Sequence, residues 1–171
     1  MDAWETVWQR YGSLVWATVY RILGDHARAL DCCQDVFAEV LERSRVRQVR
    51  DWAAFLKWLA TRRAIDSLRR HRVESGHFEI GSDIGDVPAL VLPPDARAHL
   101  HELEARLKRE LTHLPPQQAE AFWLSSVEQM SYREIGEQLG VDANHVGVLV
   151  HRARQRLRET LADLNPARQG L

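Results

Sequence analysis

At 171 residues, with 45% hydrophobic and 27% charged side chains, the chain has the length of one ordinary domain or two small ones and the composition of a folded protein. Its 23 basic and 24 acidic residues nearly cancel, so the net charge points neither toward nor away from a polyanionic partner, and the distribution along the chain has to decide. Adjacent Cys32 and Cys33 cannot build a disulfide framework and, without nearby histidines, do not form a zinc site, which makes a reducing cytoplasm the expected compartment. Met1-Asp2-Ala3-Trp4-Glu5 lacks the basic start and apolar run of a signal peptide, and no stretch of about 18 apolar residues occurs, so neither secretion nor membrane insertion is expected. Lys57 and Lys108 are the only lysines; the other basic residues are arginines, whose forked guanidinium suits phosphate, carboxylate and guanine, although genomic base composition gives the same bias.

From Trp4, the positions Trp4, Val7, Trp8, Tyr11, Leu14, Val15, Thr18 and Ile22 recur at three and four, which predicts a helix with one buried face ending near Gly24. Asp25 can cap a second helix with an apolar stripe of Leu30, Cys33, Phe37, Val40 and Leu41, and Asp51 a third with Trp52, Phe55, Leu56 and Leu59 facing inward. Between Glu74 and Ala96 the period disappears and Gly76, Gly81, Gly85, Pro88, Pro93 and Pro94 interrupt the chain, as in a flexible linker. Residues 1–74 carry 13 basic and 10 acidic groups, residues 75–99 one and four, so the linker is the acidic part. Leu100, Leu103, Leu107, Leu111 and Leu114 then restore the helical period until Pro115-Pro116. Ser131-Tyr132-Arg133-Glu134 is a capping box, Gly140 a left-handed stop and Asp142 a further cap, giving four helices in this half. With no strand-like alternation, the fold class is all-α: two small helical domains, 1–74 and 97–171, joined by a linker over 75–96.

Ser131 to Leu157 reads as a helix-turn-helix. Ile135, Leu139, Val141, Val146, Val150 and Ala153 fit the packed angle between its helices, leaving Asn144, His145, Gly147, Val148, His151, Arg152 and Gln155 to face out. A helix of this kind enters the major groove, placed by phosphate contacts and carrying a few groups that reach base edges; a helical hairpin used for packing alone is the plainer alternative. The segment from Thr61 to Arg72 adds a basic helix end directly after Trp52, Phe55 and Trp58. Cations that attract phosphate beside aromatic faces that stack bases suit single-stranded DNA, although a Trp at helical spacing is more often a core residue. Asp31, Gln34 and Asp35 share a face that repels DNA and is either a solvated surface or a docking site for a basic protein. The Cys pair reads as small core packing in preference to a redox sensor, and His99 and His101 lack a third ligand, so neither a metal nor a cofactor is expected.

Taken in order, these pieces resemble the extracytoplasmic-function group of bacterial RNA polymerase sigma factors over nearly the whole chain. Leu23-Gly24-Asp25 with Ala29-Leu30-Asp31-Cys32-Cys33-Gln34-Asp35-Val36-Phe37, and Ala64-Ile65-Asp66-Ser67-Leu68-Arg69-Arg70, are similar to region 2. Leu114-Pro115-Pro116-Gln117-Gln118, Ser131-Tyr132-Arg133-Glu134-Ile135-Gly136, Leu139-Gly140-Val141 and His151-Arg152-Ala153-Arg154-Gln155-Arg156-Leu157-Arg158 are similar to region 4. The resemblance implies a non-enzymatic transcription initiation factor. Asp31, Gln34 and Asp35 would dock on core RNA polymerase. Trp52, Phe55, Trp58, Arg62, Arg63, Arg69, Arg70 and Arg72 would melt and read the minus-ten element of promoter DNA. Ser131, Tyr132, Asn144, His145, His151, Arg152 and Arg154 would read the minus-thirty-five element. An anti-sigma protein is the implied regulator.

The sequence departs from the family pattern at Arg62, where an Asn is usual, at Phe55, where a Trp is usual, and at Gly147-Val148-Leu149, where a Lys and an Arg commonly follow the equivalent of Val146. Two other readings stay open on sequence alone. A stand-alone helix-turn-helix regulator would bind duplex DNA without polymerase, whereas a helical adaptor would show no salt-sensitive DNA binding.

Overall fold

The structure is a computed structural model that describes residues 3–44, 49–75 and 93–162. Most of the expected linker, residues 76–92, lies outside that range, as does the side chain of Trp4. Seven helices and no strand occur among the described residues: α1 (Ala3–Leu23), α2 (His26–Ser44), α3 (Trp52–Ser75), α4 (Pro94–Leu111), α5 (Pro116–Ser126), α6 (Tyr132–Leu139) and α7 (Ala143–Thr160). None of them is long and apolar enough to cross a membrane.

Local chemistry sets most of the boundaries. Gly24 takes a left-handed φ of 63° and its N–H donates to the Tyr20 carbonyl at 2.8 Å, ending α1 where a side chain would be strained. The Asp25 carboxylate accepts from the Arg28 N–H at 2.8 Å and that of Asp51 from the Ala54 N–H at 3.0 Å, so both expected caps are in place. Pro94 opens α4 with Pro93 as its cap, three residues before the boundary expected from periodicity. A proline pair reads as an interruption in sequence, yet proline at the first helical position loses no hydrogen bond and is pre-set to a helical φ.

The first three helices pack around Val15, Val19 and Ile22 of α1, Val36, Phe37 and Val40 of α2, and Leu56, Leu59, Ile65 and Leu68 of α3. The last four close over Leu111, Leu114, Trp123, Leu124, Ile135, Val146, Val150 and Leu157. Three positions of the expected stripes stand out of the core: Trp8, Leu30 and Leu100 are each close to half exposed. Periodicity marks a stripe wider than the strip a neighbouring helix covers, so its edge residues emerge.

The two halves are in contact. Helix α3 packs along α5 and also touches α6. The apolar residues on the two sides form a single buried cluster.

Candidate nucleic-acid interface

Helices α6 and α7 form the expected helix-turn-helix. Ser131 Oγ accepts from the Glu134 N–H at 3.2 Å, while Glu134 Oε2 accepts from the Ser131 hydroxyl at 2.6 Å and from the Ser131 N–H at 2.8 Å, and these two bonds to the carboxylate, the hydroxyl's first, hold it below its usual range. At the other end of α6, Gly140 adopts a φ of 72°. The turn then folds so tightly that a Cβ on Gly136 would come within 2.5 Å of the Val141 carbonyl oxygen. Asp142 caps α7 by accepting from the His145 N–H at 2.8 Å. The turn between α6 and α7 is thus shaped by backbone chemistry at Gly136, Gly140 and Asp142.

Ile135, Val146, Val150 and Ala153 are buried in that angle with Leu149, and Leu139 and Val141 are half-buried. The opposite face of α7 presents Asn144, His145, Val148, His151, Arg152 and Gln155 to solvent. Gly147 leaves this set, because the Tyr132 ring lies over it in van der Waals contact with the space a Cβ would take. Tyr132 itself stays exposed beside the α7 face, whereas the Ser131 hydroxyl is committed to the cap, donating to Glu134 Oε2 at 2.6 Å. Arg154 does not share the face: its guanidinium donates to Ser126 Oγ at 3.3 Å and lines a groove with Leu107, Phe122 and Leu157.

The basic and aromatic segment of α3 is arranged differently from an open stacking platform. Phe55 and Trp58 are 8% and 7% exposed, and Trp52 is half-buried with its ring 6.2 Å from that of Phe55. The guanidinium carbons of Arg43 and Arg62 each lie 5.6 Å from the Trp58 ring centroid. The indole N–H of Trp58 donates to Glu120 Oε2 of α5 at 3.1 Å. Burial raises the Glu120 carboxyl above its usual range, and the bond from Trp58 opposes that shift. Arg69 donates to the Leu114 carbonyl at 3.0 Å and Arg72 to Thr112 Oγ1 at 3.0 Å, both in the turn between α4 and α5. Arg63 pairs with Glu39 on α2, whereas Arg62 and Arg70 remain exposed. Two further contacts tie the halves: Arg21 Nη1 to Glu128 Oε1 at 2.6 Å, and Lys57 Nζ to the Glu128 carbonyl at 3.2 Å.

On α2, Asp31, Gln34 and Asp35 are all exposed and share the outer face, as their spacing requires. Leu30 joins them, which corrects its assignment to the core stripe. Cys32 and Cys33 point inward and are buried; desolvation pushes their thiols up to about 12 and about 11, so neither offers a thiolate at neutral pH. No group of metal-ligating side chains occurs among the described residues.

Glu120 and Glu128 escaped the sequence reading. Glu120 is the one charged residue in α5, flanked by Ala119 and Ala121, and that isolation in an apolar helix was the available signal. Its partner lies 62 residues away, where no local pattern reaches.

The family model for Sigma-70 region 2 matches residues 7–74, and that for Sigma-70, region 4 matches residues 104–157. The chain is 33% identical to the RNA polymerase sigma factor CarQ of Myxococcus xanthus, over 95% of this chain and 91% of CarQ. It is 32% identical to the ECF RNA polymerase sigma factor SigE of Mycolicibacterium smegmatis, over 95% of this chain and 63% of SigE. It is 26% identical to the ECF RNA polymerase sigma factor SigW of Bacillus subtilis, over 95% and 91% of the two chains. Among solved structures, the sigma factor RpoE of Bartonella quintana, in complex with the anti-sigma factor NepR, shares the fold with a TM-score of 0.57 at 20% identity, covering 95% of this chain and 98% of that one.

Proposed function

Because this chain belongs to the extracytoplasmic-function group of RNA polymerase sigma factors, DNA-binding regulators that direct core RNA polymerase to promoters, we propose a division of that work among its residues. Helix α7 reads duplex DNA at the minus-thirty-five element. The observation that carries this reading is a capped helix-turn-helix whose second helix leaves Asn144, His145, Val148, His151 and Arg152 unobstructed on one face. With Gly147 under Tyr132 and Arg154 turned to Ser126, Arg152 is the cation best placed for the groove, and Tyr132 is a neighbouring contact.

Asp31, Gln34 and Asp35 of α2 form the face for the polymerase, with Leu30 as an apolar anchor inside an acidic rim. Acidic groups there suit a basic protein surface and are repelled by DNA. Arg62, Arg63, Arg69, Arg70 and Arg72, with Trp52, Phe55 and Trp58, form the surface for the opened minus-ten element. The work takes place in the cytoplasm, where promoters and polymerase are, and an anti-sigma protein such as the one bound to the Bartonella relative is the class of regulator that fits.

The separate roles are tested by two substitutions. Asp35→Arg is expected to abolish co-purification with core polymerase while leaving duplex binding intact. Arg152→Ala is expected to keep polymerase binding, weaken promoter binding about tenfold and reduce its salt slope by about one. Equal effects of both substitutions on both partners would refute the division.

A further inference from the structure

We infer that the polymerase-docking surface extends past α2 onto α1, where Gly12 leaves a notch between Trp8 and Trp16 that receives an apolar side chain of core RNA polymerase. The inference rests on the assignment of Asp31, Gln34 and Asp35 to polymerase docking. It starts from a glycine that the fold itself does not explain. Gly12 lies inside α1, where glycine weakens a helix. Gly136 is required by the Val141 carbonyl and Gly147 lies under the Tyr132 ring, whereas a Cβ on Gly12 would meet no neighbouring group within 4 Å. A helical glycine with empty space above it suits close approach by a group from outside the chain.

Ring contacts fix what borders that space. The Trp8 ring lies 4.3 Å from that of Phe37, and the Trp16 ring 5.0 Å from that of His26, so α1 and α2 run antiparallel and Gly12, midway between the tryptophans, falls across from the turn of α2 between Leu30 and Cys33. His26, Leu30, Cys33 and Phe37 form one stripe at helical spacing. Cys33 and Phe37 are buried, whereas Leu30 and Trp8 are 46% and 48% exposed. Trp16, stacked on Tyr20 at 5.6 Å, closes the other end. The two indoles are set about 12 Å apart along α1, room for a large side chain between them. The occupant follows from what adjoins the notch. Around α2, Gln34 stands one turn beyond Leu30 and the acids Asp31 and Asp35 come next, all exposed; on the α1 side Gln9, Ser13 and Ala17 are exposed and uncharged. An apolar centre with carboxylates along one edge repels DNA and fits a basic protein surface that carries an apolar residue. It continues the acidic face of α2, so one partner covers both: the acids orient core polymerase and the notch supplies the desolvated anchor.

The test fills the notch in the full chain without entering the core. Because a Cβ at position 12 meets nothing, Gly12→Ala is expected to raise the thermal midpoint by about 2–4 °C, and Gly12→Gln by somewhat less. Affinity for bacterial core RNA polymerase, read by fluorescence anisotropy of the labelled chain, is expected to fall about tenfold or more in Gly12→Gln and less than about threefold in Gly12→Ala. Leu30→Ala, which removes the exposed rim of the notch, is expected to match Gly12→Gln. A substitution that stabilises the chain yet costs it a partner is not a folding defect. Salt separates the two parts of the surface: the loss in Gly12→Gln is expected to be the same at low and high salt, whereas the loss in Asp35→Arg shrinks as salt screens the charges.

Wild-type affinity in Gly12→Gln, with binding lost in Asp35→Arg, would overturn the notch and leave the acidic face standing. Loss in Gly12→Gln with wild-type affinity in Asp35→Arg would remove the acidic face and keep the notch. A lowered midpoint in Gly12→Gln would overturn the open space at position 12, and a folded wild-type chain that does not bind core polymerase would overturn both assignments.

Discussion

Two glycine-to-alanine substitutions in one helix-turn-helix are expected to change stability in opposite directions. Gly136 and Gly147 both lie inside helices, where alanine is favoured by about 1 kcal/mol. Their surroundings differ. A Cβ at 147 would meet the edge of the Tyr132 ring at 3.5 Å, an ordinary contact, so Gly147→Ala keeps the full gain of about 1 kcal/mol. A Cβ at 136 would sit 2.5 Å from the Val141 carbonyl oxygen, with the Asp142 carbonyl carbon at 3.5 Å, and both belong to the backbone of the turn. No side-chain rotation relieves that clash. Overpacking costs about 1–3 kcal/mol, and a backbone contact this short belongs at the upper end, which leaves a net loss of about 2 kcal/mol after helix propensity. In a chain of this size each kcal/mol moves the midpoint by about 2–4 °C, so thermal unfolding of the full chain is expected to fall by about 4–8 °C for Gly136→Ala and rise by about 2–4 °C for Gly147→Ala. Shifts of the same sign would refute the assignment of the close approach between α6 and the turn.

Other consequences are local to the same half. Ser131→Ala is expected to cost about 1 kcal/mol in denaturant unfolding, since it removes the cap of α6. The Glu134 carboxyl is lowered by its bonds to Ser131, so its contribution is complete above the ordinary value of 4.5 and lost as pH falls through the lowered one; the gap between wild type and Ser131→Ala should narrow in acid, to what the Ser131 Oγ cap alone contributes, and be widest at neutrality. A constant difference across that range would contradict the capping box. Val148, close to half exposed between Asn144 and Arg152, is the apolar group on the face of α7 proposed to read duplex DNA and suits a thymine methyl. Sequence selection is expected to lose a thymine preference at one position in Val148→Ser, and uracil at that position should weaken the wild type to match; an unchanged preference would exclude the contact.

The parts of this molecule legible in the sequence are those that local chemistry decides. Asp25, Asp51, Ser131, Gly140 and Asp142 act on backbone groups three or four residues away, and each does in the structure what its type and spacing required. Side-chain direction within a helix was also accessible, which is why Asp31, Gln34 and Asp35 emerge together and Ile135, Val146 and Val150 disappear together. Legibility ended where a partner came from elsewhere in the chain. Nothing around Leu30 distinguishes an edge of the stripe from its centre. Trp58, by its helical spacing, pointed to the core more than to bases, but its bond to Glu120, a residue in the other half, was out of reach. The separation into two halves was visible as a change of period and composition, whereas the contact between them depends on Arg21, Lys57, Trp58, Arg69 and Arg72 finding acceptors between 40 and 107 residues away.

The most direct test of the sigma assignment is reconstitution with bacterial core RNA polymerase, followed by run-off transcription from a genomic promoter library. The wild-type chain is expected to bind core and to produce a small set of defined start sites sharing one pair of elements, and Asp35→Arg to produce none while remaining folded. A folded wild-type chain that neither binds core polymerase nor initiates transcription would contradict the account.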